Sequence, residues 1–222
     1  MATDDSVRRD DPFSVLRRFA RKPSGAERCE LCSRAIGPEH PHVLEIAHRQ
    51  LLCACDACAI LFPGGHAKYS RVPRAIRDMS DFRLTDAQWD SLLIPIEMAF
   101  FYRNSTAGRV VAVYPSPAGA TESLLPLERW DEVVADNPIL ATMAPDVEAL
   151  VVNRLGVGTR QAVFIDHQPE YYIMPIDHCF RLVGLVRLHW KGLSGGAEVW
   201  DAIAGFFADI RSRAEPREVV RA

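Results

Sequence analysis

Two pairs of cysteines, each with two residues between them, are the feature of the sequence that most constrains its fold. The pairs are Cys29 with Cys32 and Cys55 with Cys58. A tetrahedral metal ion needs four ligands that converge on one point, and a short turn with this spacing directs two sulfur atoms the same way. The 22 residues between the pairs slightly exceed the usual zinc-ribbon spacing, but a hairpin can close the distance. The sequence therefore predicts a four-thiolate metal site in a small module.

The segment between the two pairs contains a predicted hairpin and a fifth cysteine. Mostly apolar segments at 43–46 and 51–53 flank the stretch 47–50, which predicts two short strands joined by a turn. The C-x2-C spacing favours Cys55 over Cys53 as the ligand that accompanies the last cysteine of the cluster. Cys53 is then a packed thiol that behaves as a small hydrophobic residue, and it remains the alternative ligand.

Three histidines in the same segment, His40, His42 and His48, are further candidate ligands. Any one of them could replace a cysteine and give a site of three thiolates and one imidazole. Because four thiolates are already available, the simpler interpretation is that these histidines are ordinary polar residues of the hairpin.

Zinc is the metal that this ligand set favours, with iron in a rubredoxin-like electron-transfer site as the alternative. Rubredoxin-type turns usually have glycine after the second cysteine, whereas Ser33 and Ala59 occupy those positions here. A catalytic zinc site fits less well than a structural one, because four thiolates leave no coordination position open for water.

Length and composition place the chain among folded, water-soluble proteins. Its 222 residues are 48% hydrophobic and 25% charged, values typical of globular proteins. The formal net charge of -3 argues against broad nucleic-acid binding, which usually requires a basic domain. No run of about 18 apolar residues occurs, so no membrane insertion is expected. We expect a cytoplasmic protein, since thiols stay reduced there and clustered cysteines hold metal rather than form disulfides.

Composition and turn signals divide the chain into five segments. They are a polar tail with a short helix at 1–25, the four-cysteine module at 26–64, a basic linking segment at 65–88, an α+β domain at 89–213 and a C-terminal tail at 214–222. Each boundary follows from a change in composition or from a cluster of proline and glycine.

The larger domain combines predicted strands with helices. Segments rich in β-branched and aromatic residues predict strands at 94–103, 109–114, 149–154, 161–165 and 171–174. The first two flank the polar turn 104–108, which predicts a hairpin. A helix start is predicted at Thr85 with Asp86. In the last helix, apolar residues recur at helical spacing at Val199, Ile203, Phe206, Phe207 and Ile210. The predicted fold is α+β: a zinc-ribbon-like module followed by an antiparallel-sheet domain with C-terminal helices.

No arrangement of acid, base and nucleophile indicates an enzyme. Asp177, His178 and Cys179 are consecutive, but neighbours on a helix point in different directions and cannot form a triad. Cys179 lies in apolar surroundings and is predicted to be part of the core. Thiol chemistry at Cys53, beside the metal, is the remaining enzymatic alternative.

Several segments of the sequence carry a resemblance to a known family: CELC, CACDACAILF, LTDAQWDSLLIPIEMAFF, GRVVAVYPSPAGATESLLP and PIDHCFRLVGLVRLHWKGLSGGAEVW. Together they resemble an uncharacterised protein family encoded in actinobacterial and related gene clusters for uptake nickel-iron hydrogenases. The resemblance extends from Arg28 to Arg213. It implies a role in maturing, assembling or serving such a hydrogenase, and it implies no established activity.

These observations predict a non-enzymatic accessory protein with a structural zinc site that contacts a protein partner, such as a hydrogenase subunit or maturation factor. The alternative is an iron-containing electron carrier that serves a hydrogenase. Of the two, the four-thiolate shell with no glycine after either pair favours the first.

Overall fold

A computed structural model describes four parts of the chain, residues 27–62, 68–123, 129–156 and 168–215. These parts form two antiparallel sheets with helices packed against them, so the predicted α+β fold class is confirmed. The predicted N-terminal helix, the predicted strand at 161–165 and most of the predicted C-terminal tail lie outside the described residues. Within the described parts, no helix has both the length and the apolar character needed to cross a membrane.

The cysteine module is built on three strands, β1 (His42–Glu45), β2 (Gln50–Cys53) and β3 (Tyr69–Arg71), in the order β2-β1-β3. β1 and β2 form the predicted hairpin, with its turn at residues 46–49 and His42 paired with Cys53. Arg49 adopts a φ of 54°, a left-handed conformation that occurs in tight turns. This register places the two ends of the hairpin side by side.

One short helix and a small core complete the module. Helix α1 (Asp56–Ile60) begins directly after Cys55. The buried residues of this core are Cys29, Val43, Ala54, Cys55 and Ala59. Val43 faces this small core, whereas its neighbour Leu44 is buried in the core of the larger sheet, because successive side chains of a strand point to opposite faces. Strand β1 therefore has one face in each core.

The larger sheet has six antiparallel strands. They are β4 (Arg77–Asp78), β5 (Met98–Asn104), β6 (Arg109–Ser116), β7 (Gly119–Glu122), β8 (Glu148–Asn153) and β9 (Glu170–Pro175), and their order in the sheet is β4-β9-β8-β5-β6-β7. β5 and β6 form the hairpin that the sequence predicts, with Asn104 paired with Arg109. The central strands are continuous apolar runs because both faces of the sheet are covered.

Helices pack on both faces of this sheet. Helices α2 (Asp86–Ser91) and α3 (Trp130–Asp136) cover one face, and helices α4 (Ile176–His189) and α5 (Ala197–Arg213) cover the other. Helix α2 starts where predicted, with Thr85 as its N-cap in a capping box with Gln88. All five residues of the apolar stripe in α5 are buried, which confirms the predicted amphipathic helix.

The segment at 65–88, predicted as a linker, contributes to both sheets. Its described residues supply β3 to the small sheet and β4 to the large one. Val72 and Ile76 are buried in the core of the large sheet. The cysteine module therefore packs directly against the larger domain, and His42 of β1 contacts Asp177 at the start of α4.

Candidate metal centre

The four cysteines of the two spaced pairs lie together at one end of the small sheet. The sulfur atoms of Cys29, Cys32, Cys55 and Cys58 are all within 4.8 Å of one another, and those of Cys32 and Cys55 are 3.7 Å apart. Four sulfurs at the usual zinc-sulfur distance of roughly 2.3 Å lie about 3.8 Å apart in a tetrahedron. The cluster therefore has the ligand set and nearly the spacing of a four-thiolate site, and it could bind a metal ion.

The first pair is held by a tight turn. The backbone N–H of Ser33 donates to the carbonyl oxygen of Cys29 at 2.7 Å, and the N–H of Cys29 donates to the carbonyl oxygen of Arg34 at 2.8 Å. Ser33 has a φ of 62°, the left-handed conformation for which glycine is the usual residue. Serine thus takes the role that glycine has in rubredoxin-type turns, so the absence of glycine at this position is not an argument against iron.

The second pair lies at the start of a helix rather than in a second turn. Cys55 is the N-cap of α1, with φ −79° and ψ 159°, and Cys58 is in its first turn. Residues three apart on a helix share one face, which directs both sulfurs toward the first pair. The spacing predicted the convergence of the sulfurs correctly, but the local structure that produces it is helical.

Hydrogen bonds within the cluster give its thiols different pKa values. Burial alone would raise the pKa of Cys29, but backbone N–H groups of Cys55, Leu31 and Cys32 stabilise its thiolate and lower that pKa to about 6. Hydrogen bonds with Cys32 and Cys55 raise the pKa of Cys58 to about 12. A pKa lowered at one thiol and raised at another is expected where close thiols share a negative charge. A bound cation would stabilise all the thiolates instead.

The cluster is buried on one side and open on the other. Cys29 and Cys55 are buried, Cys58 is half-buried and Cys32 is exposed. All six cysteines of the chain lie in the described parts, and none of them forms a disulfide. The site is therefore part of the small core but reaches the surface through Cys32.

Cys53 and two of the histidines converge on a second cluster. One potential ligand atom from each of His40, His42 and Cys53 lies within 4.8 Å of the other two. His48 is separate: its ring is 73% exposed on the hairpin turn and pairs with Glu45 at 3.0 Å. The interpretation of the histidines as ordinary hairpin residues thus fits His48, whereas the other two face the fifth cysteine across the hairpin.

Asp177 is a residue of this region that sequence reasoning did not connect to the hairpin. Its carboxylate oxygen Oδ2 lies 2.8 Å from Nδ1 of His42, although 135 positions separate the two residues. His178, next to it, is partly buried, and its Nδ1 has no hydrogen-bond partner in the described parts. Burial lowers the pKa of His178. No local pattern could have revealed these contacts, because they depend on how the module docks on α4.

Cys179 belongs to the core, as predicted. Its side chain is fully buried among apolar residues on the inner face of α4. Burial raises the pKa of its thiol well above the ordinary value. Cys179 therefore points into the core, whereas Asp177 and His178 face a cleft on the other side of the helix backbone, so the three residues do not form a catalytic triad.

A cleft of about 630 Å³ separates the cysteine module from helices α4 and α5. His40 and His42 line it from the module, and Asp177, His178 and Arg181 line it from α4. The cleft is thus the place where polar groups of the module and of the larger domain face each other.

Comparison with protein families gives a match over most of the chain. The profile of a family of unknown function, DUF5947, matches residues 28–214. No curated protein and no solved structure is significantly similar to the chain. The description of this family mentions neither hydrogenases nor actinobacteria, so the link to hydrogenase gene clusters stays a prediction. Because the matched region includes both cysteine pairs and almost all of the larger domain, the chain belongs to the DUF5947 family.

Proposed function

We propose that the four cysteines hold one structural zinc ion and that the protein is a non-enzymatic accessory protein. The observation that carries this proposal is the convergence of four sulfur atoms within 4.8 Å of one another. Four thiolates complete a tetrahedral shell around zinc and leave no position for water or substrate. Zinc has no redox chemistry at such a site, so its role is to connect the first turn to the start of helix α1.

The size of the module supports a structural role for the ion. Its separate core consists of five small or medium-sized buried residues, which is little apolar surface for an independent fold. In such modules the free energy of metal binding is part of the free energy of folding. The ion would keep the hairpin and helix α1 in place against the larger domain.

Two exposed apolar side chains support a protein partner near the zinc site. Ile60 and Leu61, which lie two and three residues after Cys58, are 63% and 71% exposed. Neighbouring apolar side chains on a surface favour contact with another protein. The sequence resemblance implies that this partner is a hydrogenase subunit or a maturation factor.

Co-purification tests the partner. The full chain carrying an affinity tag is expressed in a cell that makes a nickel-iron hydrogenase, and the recovered proteins are identified by mass spectrometry. We expect a hydrogenase subunit or maturation factor with the wild-type protein and much less of it with the Ile60→Ser, Leu61→Ser double variant. Leu93→Ser, which changes another exposed leucine (61% exposed), is the matched control. Recovery of neither class of protein with the wild type would contradict the hydrogenase link.

An iron-containing electron carrier is the second candidate. It is favoured by the left-handed conformation of Ser33 and by the exposure of Cys32, because an exposed ligand brings the metal close to an electron-transfer partner. Metal analysis with a visible spectrum distinguishes the candidates. Zinc in a colourless protein supports the structural role, whereas iron with a thiolate charge-transfer band that bleaches on reduction supports the electron carrier.

A further inference from the structure

We propose that His40, His42 and Cys53 form a second transition-metal site, separate from the four-cysteine centre, with one coordination position open to the cleft. This site goes beyond the structural zinc ion, because three protein ligands leave room for an exchangeable fourth ligand. His42 is the first residue of the hairpin, Cys53 is its last, and His40 lies in the loop before it.

The hairpin register creates the cluster. His42 is the cross-strand partner of Cys53, and directly opposed residues on one face of a sheet have neighbouring side chains. His40 lies two residues before His42, and the two imidazole rings are 4.9 Å apart between centroids. One ligand atom from each of the three residues lies within 4.8 Å of the others, the same bound that holds for the four sulfurs of the other cluster.

His40 provides the clearest sign of a missing ligand. Its side chain is only 8% exposed, and its Nδ1 lies 2.8 Å from the carbonyl oxygen of Gly37. A carbonyl only accepts, so Nδ1 carries the proton, and in the neutral imidazole Nε2 then has a free lone pair. Nε2 is buried and has no hydrogen-bond partner among the described residues. A buried polar atom without a partner is costly, and a metal ion at Nε2 would remove that cost.

His42 is oriented as metal-binding histidines usually are. Its Nδ1 hydrogen-bonds to Oδ2 of Asp177 at 2.8 Å, and the other carboxylate oxygen accepts from the backbone N–H of His178 at 2.8 Å. A carboxylate behind an imidazole fixes the ring and leaves the opposite nitrogen free for a metal. Asp177 is therefore a positioning residue, and Nε2 of His42 is the ligand atom.

Cys53 supplies the third ligand, and the local backbone holds it in place. Its N–H donates to Oε2 of Glu30 at 2.5 Å, and its carbonyl accepts from the N–H of Glu30 at 2.8 Å. Two imidazole nitrogens and one thiolate suit a divalent ion of intermediate softness, such as Zn²⁺ or Co²⁺. This explains why the module has a fifth cysteine that the four-thiolate centre does not need.

The position of the cluster indicates what completes its coordination. His40 and His42 line the cleft, and Arg74 and Arg181 line the same cleft. A bound ion is therefore accessible from the cleft, where water or a small anion can serve as its fourth ligand.

Metal stoichiometry tests the second site. The full chain, expressed without a metal-binding tag, is loaded with Co²⁺ or Zn²⁺, and bound metal per chain is measured by mass spectrometry after removal of excess ion. We expect two ions in the wild type, one in His40→Gln and one in Cys53→Ser. The matched control, His48→Gln, should keep both ions. Cys32→Ser should lose the ion of the four-cysteine centre and keep the ion at His40, His42 and Cys53. Circular dichroism checks that each variant is folded.

Asp177→Asn gives a second measurement that does not remove a ligand. Chelator competition on this variant is expected to show roughly 10- to 100-fold weaker binding of one ion, the usual effect of removing an outer-shell partner. One ion in the wild type, lost in Cys32→Ser and kept in Cys53→Ser, overturns the second site and leaves the four-cysteine centre intact. Two ions that both persist in His40→Gln and Cys53→Ser also overturn it.

Discussion

Nδ1 of His42 lies 2.8 Å from Oδ2 of Asp177, and this hydrogen bond joins strand β1 of the cysteine module to the first turn of helix α4. The two side chains are 28% and 21% exposed, so water screens their interaction less than it screens a surface pair. The contact links the position of the module to that of the larger domain.

Replacing Asp177 with Asn is expected to make the protein less sensitive to acid. Burial would raise the pKa of Asp177, but the hydrogen bond from His42 and the charges of His178 and His42 outweigh it and hold the pKa below its ordinary value. The Asp177 carboxylate therefore stabilises the folded state fully above the ordinary aspartate pKa of about 3.9. This stabilisation is lost as the pH falls through the lower pKa that Asp177 has in the folded protein.

Denaturant unfolding at several pH values measures this effect. Loss of a hydrogen bond to a charged group predicts that Asp177→Asn is about 2 kcal/mol less stable than the wild type at neutral pH, with a difference that shrinks below about pH 4. A difference that stays constant into the acid range would contradict the role of the carboxylate.

Replacing Cys58 with Ser is expected to remove the ion from the four-cysteine centre and to destabilise the module. Loss of a structural metal is among the few single changes that cost about 4 kcal/mol or more in the free energy of unfolding. Metal analysis and thermal unfolding measure the two effects. Cys53→Ser is the control, because it should keep the ion bound by the four cysteines. If Cys58→Ser loses the ion but unfolds at the same temperature as the wild type, the ion is not structural.

Thiol alkylation is expected to report which cysteines the metal protects. In metal-free protein, Cys32 should react first because it is the exposed member of the cluster. Bound metal should protect it, since a coordinated thiolate is a poor nucleophile toward the reagent. Cys179 should react only after unfolding, because it is fully buried. Mass spectrometry of peptides measures each site, and early labelling of Cys179 would show that the core is not closed.

Truncating Ile203 to Ala is expected to destabilise the larger domain by about 3 kcal/mol, the usual cost of emptying a buried site of this size. Ile203 is 1% exposed in the centre of the apolar stripe of α5. Asp201→Ala, at an exposed position of the same helix, is the control and should change stability little. Urea unfolding measures both. Equal effects of the two substitutions would contradict the packing of α5 on the sheet.

Secondary structure with a clear period could be predicted from the sequence, and short elements could not. Helix α5 and the hairpin of β5 and β6 were predicted because each has enough residues to display its periodicity. Strands β3 and β4 have three and two residues, too few to show alternation. They form because neighbouring strands offer hydrogen bonds, and that depends on tertiary packing.

The four-cysteine cluster was determined by the sequence, because two pairs with this spacing around a hairpin have few ways to arrange four sulfurs. The histidine cluster was decided by tertiary structure. A turn at 46–49, rather than the predicted 47–50, places His42 opposite Cys53. Docking of β1 on α4 then brings Asp177 to His42 across 135 positions. Register and docking follow from the packing of whole faces, and no local stretch of sequence carries that information.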